Sequence, residues 1–268
     1  MANCGSMTED SKAKIKTQPN RRMGIYLLPN LLTTGALFAG FYAIIAAVDG
    51  NFPNSAAAIF VAMVLDGLDG RVARLTSTES DFGKEYDSLS DMVSFGLAPS
   101  IVVYQWGLAR LAEYGWAWGK LGWLAAFFYT VAAALRLARF NTRVGIADKR
   151  FFEGLPSPSA AGVVAAMVWL LHDLELSGLA ALAMAFFITA TAGALMVSAF
   201  HYYSFKDVNL GGKVPFAYVL LIPAIFMLIA VNPSLVLFLL FAGYATVGPG
   251  FWLYRRNRKR GPPADPEQ

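Results

Sequence analysis

Apolar runs of about 17–25 residues follow one another along almost the whole chain, each long enough to cross the hydrocarbon core of a bilayer. At that depth no water satisfies backbone N–H and C=O groups, so each run has to close its own hydrogen bonds as a helix. Of the 268 residues, 56% are hydrophobic and 15% charged, with a mean hydropathy of +0.48, which excludes an ordinary soluble domain. The expected fold is all-α, a polytopic membrane helical bundle of about eight transmembrane helices. The spans read as residues 26–48, 56–75, 86–107, 121–140, 160–171, 178–202, 215–231 and 235–254, the fifth being short.

Charge sets the orientation. Lysine and arginine cluster in the tail that holds Lys12, Lys14, Lys16, Arg21 and Arg22, in alternate loops, and in the run from Arg255 to Arg260. With both termini inside, only Arg110 and Lys120 of the 22 basic residues fall on the outer side, the positive-inside pattern. Residues 1–22 are then a basic cytoplasmic tail, 23–254 the membrane domain and 255–268 a second basic tail. The first 22 residues lack the apolar core of a cleavable leader. The basic clusters suit anionic lipid and lack the interleaved aromatics of a nucleic-acid site, so no nucleic acid is expected as a partner. The single Cys4 has no partner for a disulfide or a metal site.

Against this apolar background stand Asp66, Asp69, Asp87 and Asp91, in or beside spans two and three and at the same membrane side. A carboxylate at membrane depth costs a few kcal/mol even on the gentler scales, so such residues face polar cavities and have work to do. Spacings of three and four put Asp66 with Asp69 on one helix face and Asp87 with Asp91 on another. No lysine within either span compensates them, and divalent cations are the natural partners for converging hard oxygen donors: Mg²⁺, Mn²⁺ or Ca²⁺. Metals of that kind beside a phosphate polarise it and align attacking and leaving oxygens. The spacing does not fit an EF-hand loop. A cation transporter also places carboxylates in a membrane, but confinement of the acids to one pair of spans weighs against it.

Gly70 and Ala73 lie beside the acidic pair and either open room for a ligand or serve close helix packing. Arg71 and Arg74 close span two as phosphate partners or as markers of the cytoplasmic boundary, the boundary being the reading for Arg71. Arg136 and Arg139 end span four on the side of the acids, as anchors or as a bidentate clamp for a carboxylate or phosphate. The loop containing Gly154-Leu155-Pro156 either covers an acceptor pocket or forms a rigid turn, and His172 and His201 read as interfacial packing residues.

The pattern Asp66-x-x-Asp69-Gly70-x-x-Ala73-Arg74, eight residues, then Gly83-x-x-x-Asp87-x-x-x-Asp91 resembles the signature of the CDP-alcohol phosphotransferases without a departure. Pro29-Asn30, the run Arg136 to Asn141 and the run Phe152 to Ala160 resemble the phosphatidylserine synthase branch of that family. The resemblance covers roughly the first 160 residues. It implies an enzyme with Asp66, Asp69 and Asp87 as the main metal ligands and Asp91 near the metals as general base. Gly70, Ala73 and Arg74 would border the cytidine diphosphate, Gly83 would allow the turn entering span three, and Asn30, Arg136 and Arg139 would join the substrate site.

The implied reaction moves a phosphatidyl group from CDP-diacylglycerol to L-serine with release of CMP, at the cytoplasmic face of the cell membrane. A homodimer is the expected assembly. The same chemistry with glycerol 3-phosphate or an inositol phosphate is the alternative, and those acceptors should want more cationic residues around the pocket.

Overall fold

The computed structural model describes residues 24–76, 78, 80–143, 151–203, 223 and 227–258. Helix α1 (Gly24–Val48) and helix α2 (Phe52–Thr76) form an antiparallel hairpin over a three-residue turn. Helix α3 (Asp81–Asp91) leads into a π-helical turn (Met92–Leu97) and helix α4 (Ala98–Trp106), together the third span. A 3₁₀ turn (Leu108–Tyr114) connects to the long α5 (Trp116–Arg143). Strand β1 (Phe151–Glu153) precedes α6 (Ser157–Asp173) and α7 (Leu179–Val197). Strand β2 (His201–Tyr203) pairs antiparallel with β1, and α8 (Pro233–Arg258) closes the described chain.

The protein is a polytopic helical membrane protein. Among the described residues five segments are long and apolar enough to span a membrane: Leu28–Val48, Asp81–Tyr114, Trp116–Thr142, Leu179–Val197 and Pro233–Trp252. Helices α2 and α6, the second and fifth expected spans, fall short of that measure for different reasons. Two aspartates and two arginines depress the hydropathy of α2, and α6 has only 17 residues. Most of the expected seventh span, and most of both tails, lie outside the described residues.

Helix α6 is the centre of the bundle. Every residue from Ala160 to Val168 is buried, against α2, α4, α7 and α8. Its alanines and Gly162 let neighbours approach closely; a Cβ at Gly162 would lie 2.7 Å from the Phe241 ring. The surface that faces outward is apolar instead, with Phe38, Phe41, Phe127 and Phe187 all exposed, as a lipid-facing wall requires.

Several boundaries differ from the sequence reading. Helix α3 starts at Asp81, five residues before the expected third span, because Ser80 caps it: its Oγ accepts the Gly83 N–H at 3.0 Å. Trp116 to Gly119, expected in an outer loop, form the first turn of α5. Span six stops at Val197, where Ser198 turns extended and the chain enters β2. At the C-terminus α8 continues helically to Arg258, into the segment assigned to a tail.

Pro99 falls inside the third span, just past the π turn. The helix absorbs it in the π turn, where the Ala98 N–H reaches back five residues to the Val93 carbonyl. A donor at position 99 would have served the Phe95 carbonyl; the buried Tyr129 hydroxyl of α5 donates to that oxygen instead, at 3.0 Å.

Candidate active site

The C-terminal half of α2 and the N-terminal part of the third span meet at one end of the bundle, joined there by the start of α1, the end of α5 and the start of α6. One carboxylate oxygen each from Asp66, Asp69 and Asp87 lie within 4.8 Å of one another. Asp69 is buried, while Asp66 and Asp87 are half-buried. Asp91, one turn on from Asp87, lies close to Asp66 and Asp87. The four acids picked out in the sequence therefore share one pocket, three as a tight cluster and Asp91 at its inner side.

The donor set fits a hard divalent cation. The clustered groups are carboxylates, and among the described residues the enclosed Asp87 Oδ1 has no hydrogen-bond partner. A buried anionic oxygen left so is costly unless a cation meets it.

The surrounding residues divide in their roles. Beside Asp66 on the same face of α2, a Cβ built at Gly70 would meet nothing within 4 Å among the described residues, so within them this glycine borders open space and does no packing. Arg74, one turn further, is exposed, and its Nε donates to the Gly70 carbonyl at 2.9 Å. Ala73 is half-buried between them. Gly83 differs from its expected role: it lies inside the first turn of α3 and makes no turn of its own. A Cβ there would press on the capping Ser80 Oγ at 3.1 Å and make only ordinary contact with Asn30 Oδ1 at 3.6 Å, so its lack of a side chain leaves room for the cap. Asn30 of α1 thus lies beside the first turn of α3.

Arg136 enters from α5. Its Nη1 donates to Ser157 Oγ at the start of α6, its enclosed Nε has no hydrogen-bond partner, and its charge lies within reach of Asp91. Arg139 is half-buried one turn on, and Asn141 Nδ2 donates to Ser88 Oγ of α3 at 3.0 Å. The Gly154-Leu155-Pro156 segment is pinned: Gly154 and Leu155 donate backbone hydrogen bonds to the Phe200 and Leu195 carbonyls, and Leu155 is fully buried. Gly154 sits at φ +82°, and a Cβ there would run into the Met196 carbonyl, so only glycine suits this turn. His172, at the opposite end of α6, meets Phe52 edge-on.

Two contributors had no role in the sequence reading. Ser157 holds Arg136, and Thr33 of α1 donates to Asp69 Oδ2 at 2.6 Å. A hydroxyl inside an apolar span, as at Thr33, was the available signal.

Residues 26–197 match the CDP-alcohol phosphatidyltransferase family. The chain belongs to that family. It is 35% identical over 233 residues to a CDP-diacylglycerol–serine O-phosphatidyltransferase of Helicobacter pylori strain 26695, covering 86% of this chain and 92% of that protein. It is 39% identical over 188 residues to the protein of the same name from strain J99, with 69% of this chain and 75% of the relative covered. An archaetidylserine synthase of Methanothermobacter thermautotrophicus is 32% identical over 177 residues, 65% of this chain and 69% of that one. The matched segment begins in α1 and ends with α7, so it contains the whole acid cluster and Arg136 and Arg139 of α5.

Proposed function

We propose that the protein transfers the phosphatidyl group of CDP-diacylglycerol to L-serine, giving phosphatidylserine and CMP. The observation that carries the reading is the cluster of Asp66, Asp69 and Asp87 beside the open face at Gly70, with Asp91 next to the half-buried Arg136. The names of the H. pylori relatives support serine as the acceptor.

Asp66, Asp69 and Asp87 would hold divalent metal, Mg²⁺ or Mn²⁺ being the hard ions that suit carboxylates next to phosphate. When bound, such an ion neutralises diphosphate charge and makes the phosphorus more electrophilic. The nucleotide lies along the Asp66–Gly70–Ala73–Arg74 face of α2, where the missing side chain at Gly70 leaves room. Arg74, its Nε tied to the Gly70 carbonyl, offers its terminal nitrogens to phosphate, and Asn30 borders the entrance.

Arg136 holds the serine carboxylate through the side of its guanidinium not engaged by Ser157, which aims the hydroxyl toward Asp91. Asp91 accepts the hydroxyl proton as the serine oxygen bonds to the phosphorus bearing diacylglycerol. The bond from that phosphorus to the bridging oxygen breaks, and CMP leaves with the electron pair. The positive-inside pattern supports a cytoplasmic position for this end of the bundle, where serine and nucleotide arrive from water and the acyl chains stay in lipid.

The test incubates the purified protein with CDP-diacylglycerol, Mn²⁺ and either serine, glycerol 3-phosphate or inositol phosphate, following CMP release and the lipid product. Serine-dependent CMP release with formation of phosphatidylserine is the expected result. Product with inositol phosphate and none with serine would refute the acceptor, and metal flux without CMP release would refute the enzyme.

A further inference from the structure

The Asp69 carboxylate is held by a side chain from a different helix. Thr33, on α1, is 4% exposed, and its hydroxyl donates to Asp69 Oδ2 at 2.6 Å. A neutral donor to a carboxylate leaves the charge on the oxygens while fixing the plane of the group and the direction of its remaining lone pairs.

Thr33 also touches the third span. Its backbone carbonyl accepts from Ser90 Oγ at 3.2 Å, and Ser90 lies in α3 between Asp87 and Asp91. One turn along, the Ala36 carbonyl accepts from Ser94 Oγ at 3.1 Å. Closest approach follows at Gly40, where a Cβ would lie 2.8 Å from Ser94 Cα. Beside the acids, α1 thus reaches α2 through the Thr33 hydroxyl and the third span through two buried carbonyls. The Ser55 Oγ bond to the Ala43 carbonyl ties α1 to α2 further along, and an exposed hydrogen bond of 2.9 Å joins the Thr34 and Tyr86 hydroxyls. The spacing between the acid of α2 and the acids of α3 is set by a helix that contributes no carboxylate.

We propose that Thr33 is a positioning residue, its hydroxyl fixing the Asp69 carboxylate toward the acid cluster and its carbonyl tying that point to the helix that carries Asp87 and Asp91. This rests on the reading of the cluster as a divalent-metal site. Outer partners that orient a ligand are worth about 10–100-fold in metal affinity. Valine keeps the shape of threonine and removes the donor, whereas serine keeps the donor and removes the methyl.

The test is Mn²⁺ binding to the purified, metal-stripped protein in detergent, read from the loss of the free-ion electron paramagnetic resonance signal. Thr33→Val, Thr33→Ser, Ser90→Ala and Asp69→Asn are compared with the parent chain. The expected result is binding about 10–100-fold weaker in Thr33→Val, a smaller loss in Ser90→Ala and recovery of most affinity in Thr33→Ser. Parent-like binding by Thr33→Val, while Asp69→Asn binds weakly, would overturn the role of Thr33. Equal weakening in Thr33→Val and Thr33→Ser would also overturn it, because keeping the donor would then confer no advantage. Parent-like binding by Asp69→Asn would instead sink the metal reading of the cluster. Should Thr33→Val fail to fold, Thr33→Ala is read against Thr33→Ser in the same way.

Discussion

Replacing Gly70 by Ala separates a ligand-facing glycine from a packing one. A Cβ at this position meets nothing within 4 Å, so the substitution creates no clash in the free protein. Alanine is better than glycine inside a helix by about 1 kcal/mol, so the variant should be at least as stable as its parent. A nucleotide lying on the same face would meet the added methyl. Overpacking of one such group costs about 1–3 kcal/mol, which corresponds to a loss of about 5–150-fold in kcat/KM for CDP-diacylglycerol.

The assay pairs thermal unfolding in detergent with CMP release at varied lipid concentration. Gly40→Ala is the contrast: its Cβ would collide with Ser94, so its melting temperature should fall. An unchanged kcat/KM for Gly70→Ala would refute the placement of the nucleotide along α2. A large drop in its stability would show that this face is packed, against the geometry described above.

Chelation with EDTA should abolish CMP release, and Mn²⁺ or Mg²⁺ should restore it; full activity after exhaustive chelation would remove the metal from the reaction. Arg136→Lys keeps the charge but loses the planar fork, so the Michaelis constant for serine should rise about tenfold or more, the equivalent of about 1.4 kcal/mol. An unchanged constant would leave Arg136 as an anchor only. Tyr129→Phe takes the hydroxyl from the Phe95 carbonyl beside Pro99 and should cost about 1–3 kcal/mol of stability, seen as a lower melting temperature. No shift would mean that the π turn satisfies that oxygen unaided.

The meeting of the acids was legible because it follows from two elementary facts. Spacings of three and four share a helix face, and a short polar turn between Arg74 and Tyr86 returns the chain to the same membrane side. The open face at Gly70 was only half legible: small residues next to an acid mean either packing or room, and the contacts of a missing Cβ decide which. Gly83 was misplaced because the Ser80 cap was not recognised as a helix start.

Thr33 was hidden for a related reason. A hydroxyl in an apolar helix ordinarily bonds its own preceding carbonyl, and Thr33 does lie 3.1 Å from the Pro29 oxygen. Nothing local says that a shorter bond reaches α2. The strand pair Phe151–Glu153 with His201–Tyr203 is three residues long on each side, too short for an alternation to show.

The burial of α6 has a mechanical consequence. A rod of small residues clasped on every side has no slack, so the bundle cannot widen around its axis without losing contacts along the whole rod. The Ser157 end of that rod, which carries Arg136, is therefore a fixed floor. In the reaction proposed, a lipid with two tails would have to come and go at the rim, and on α2 the flank at Gly70 is one place where, among the described residues, nothing stands in its way.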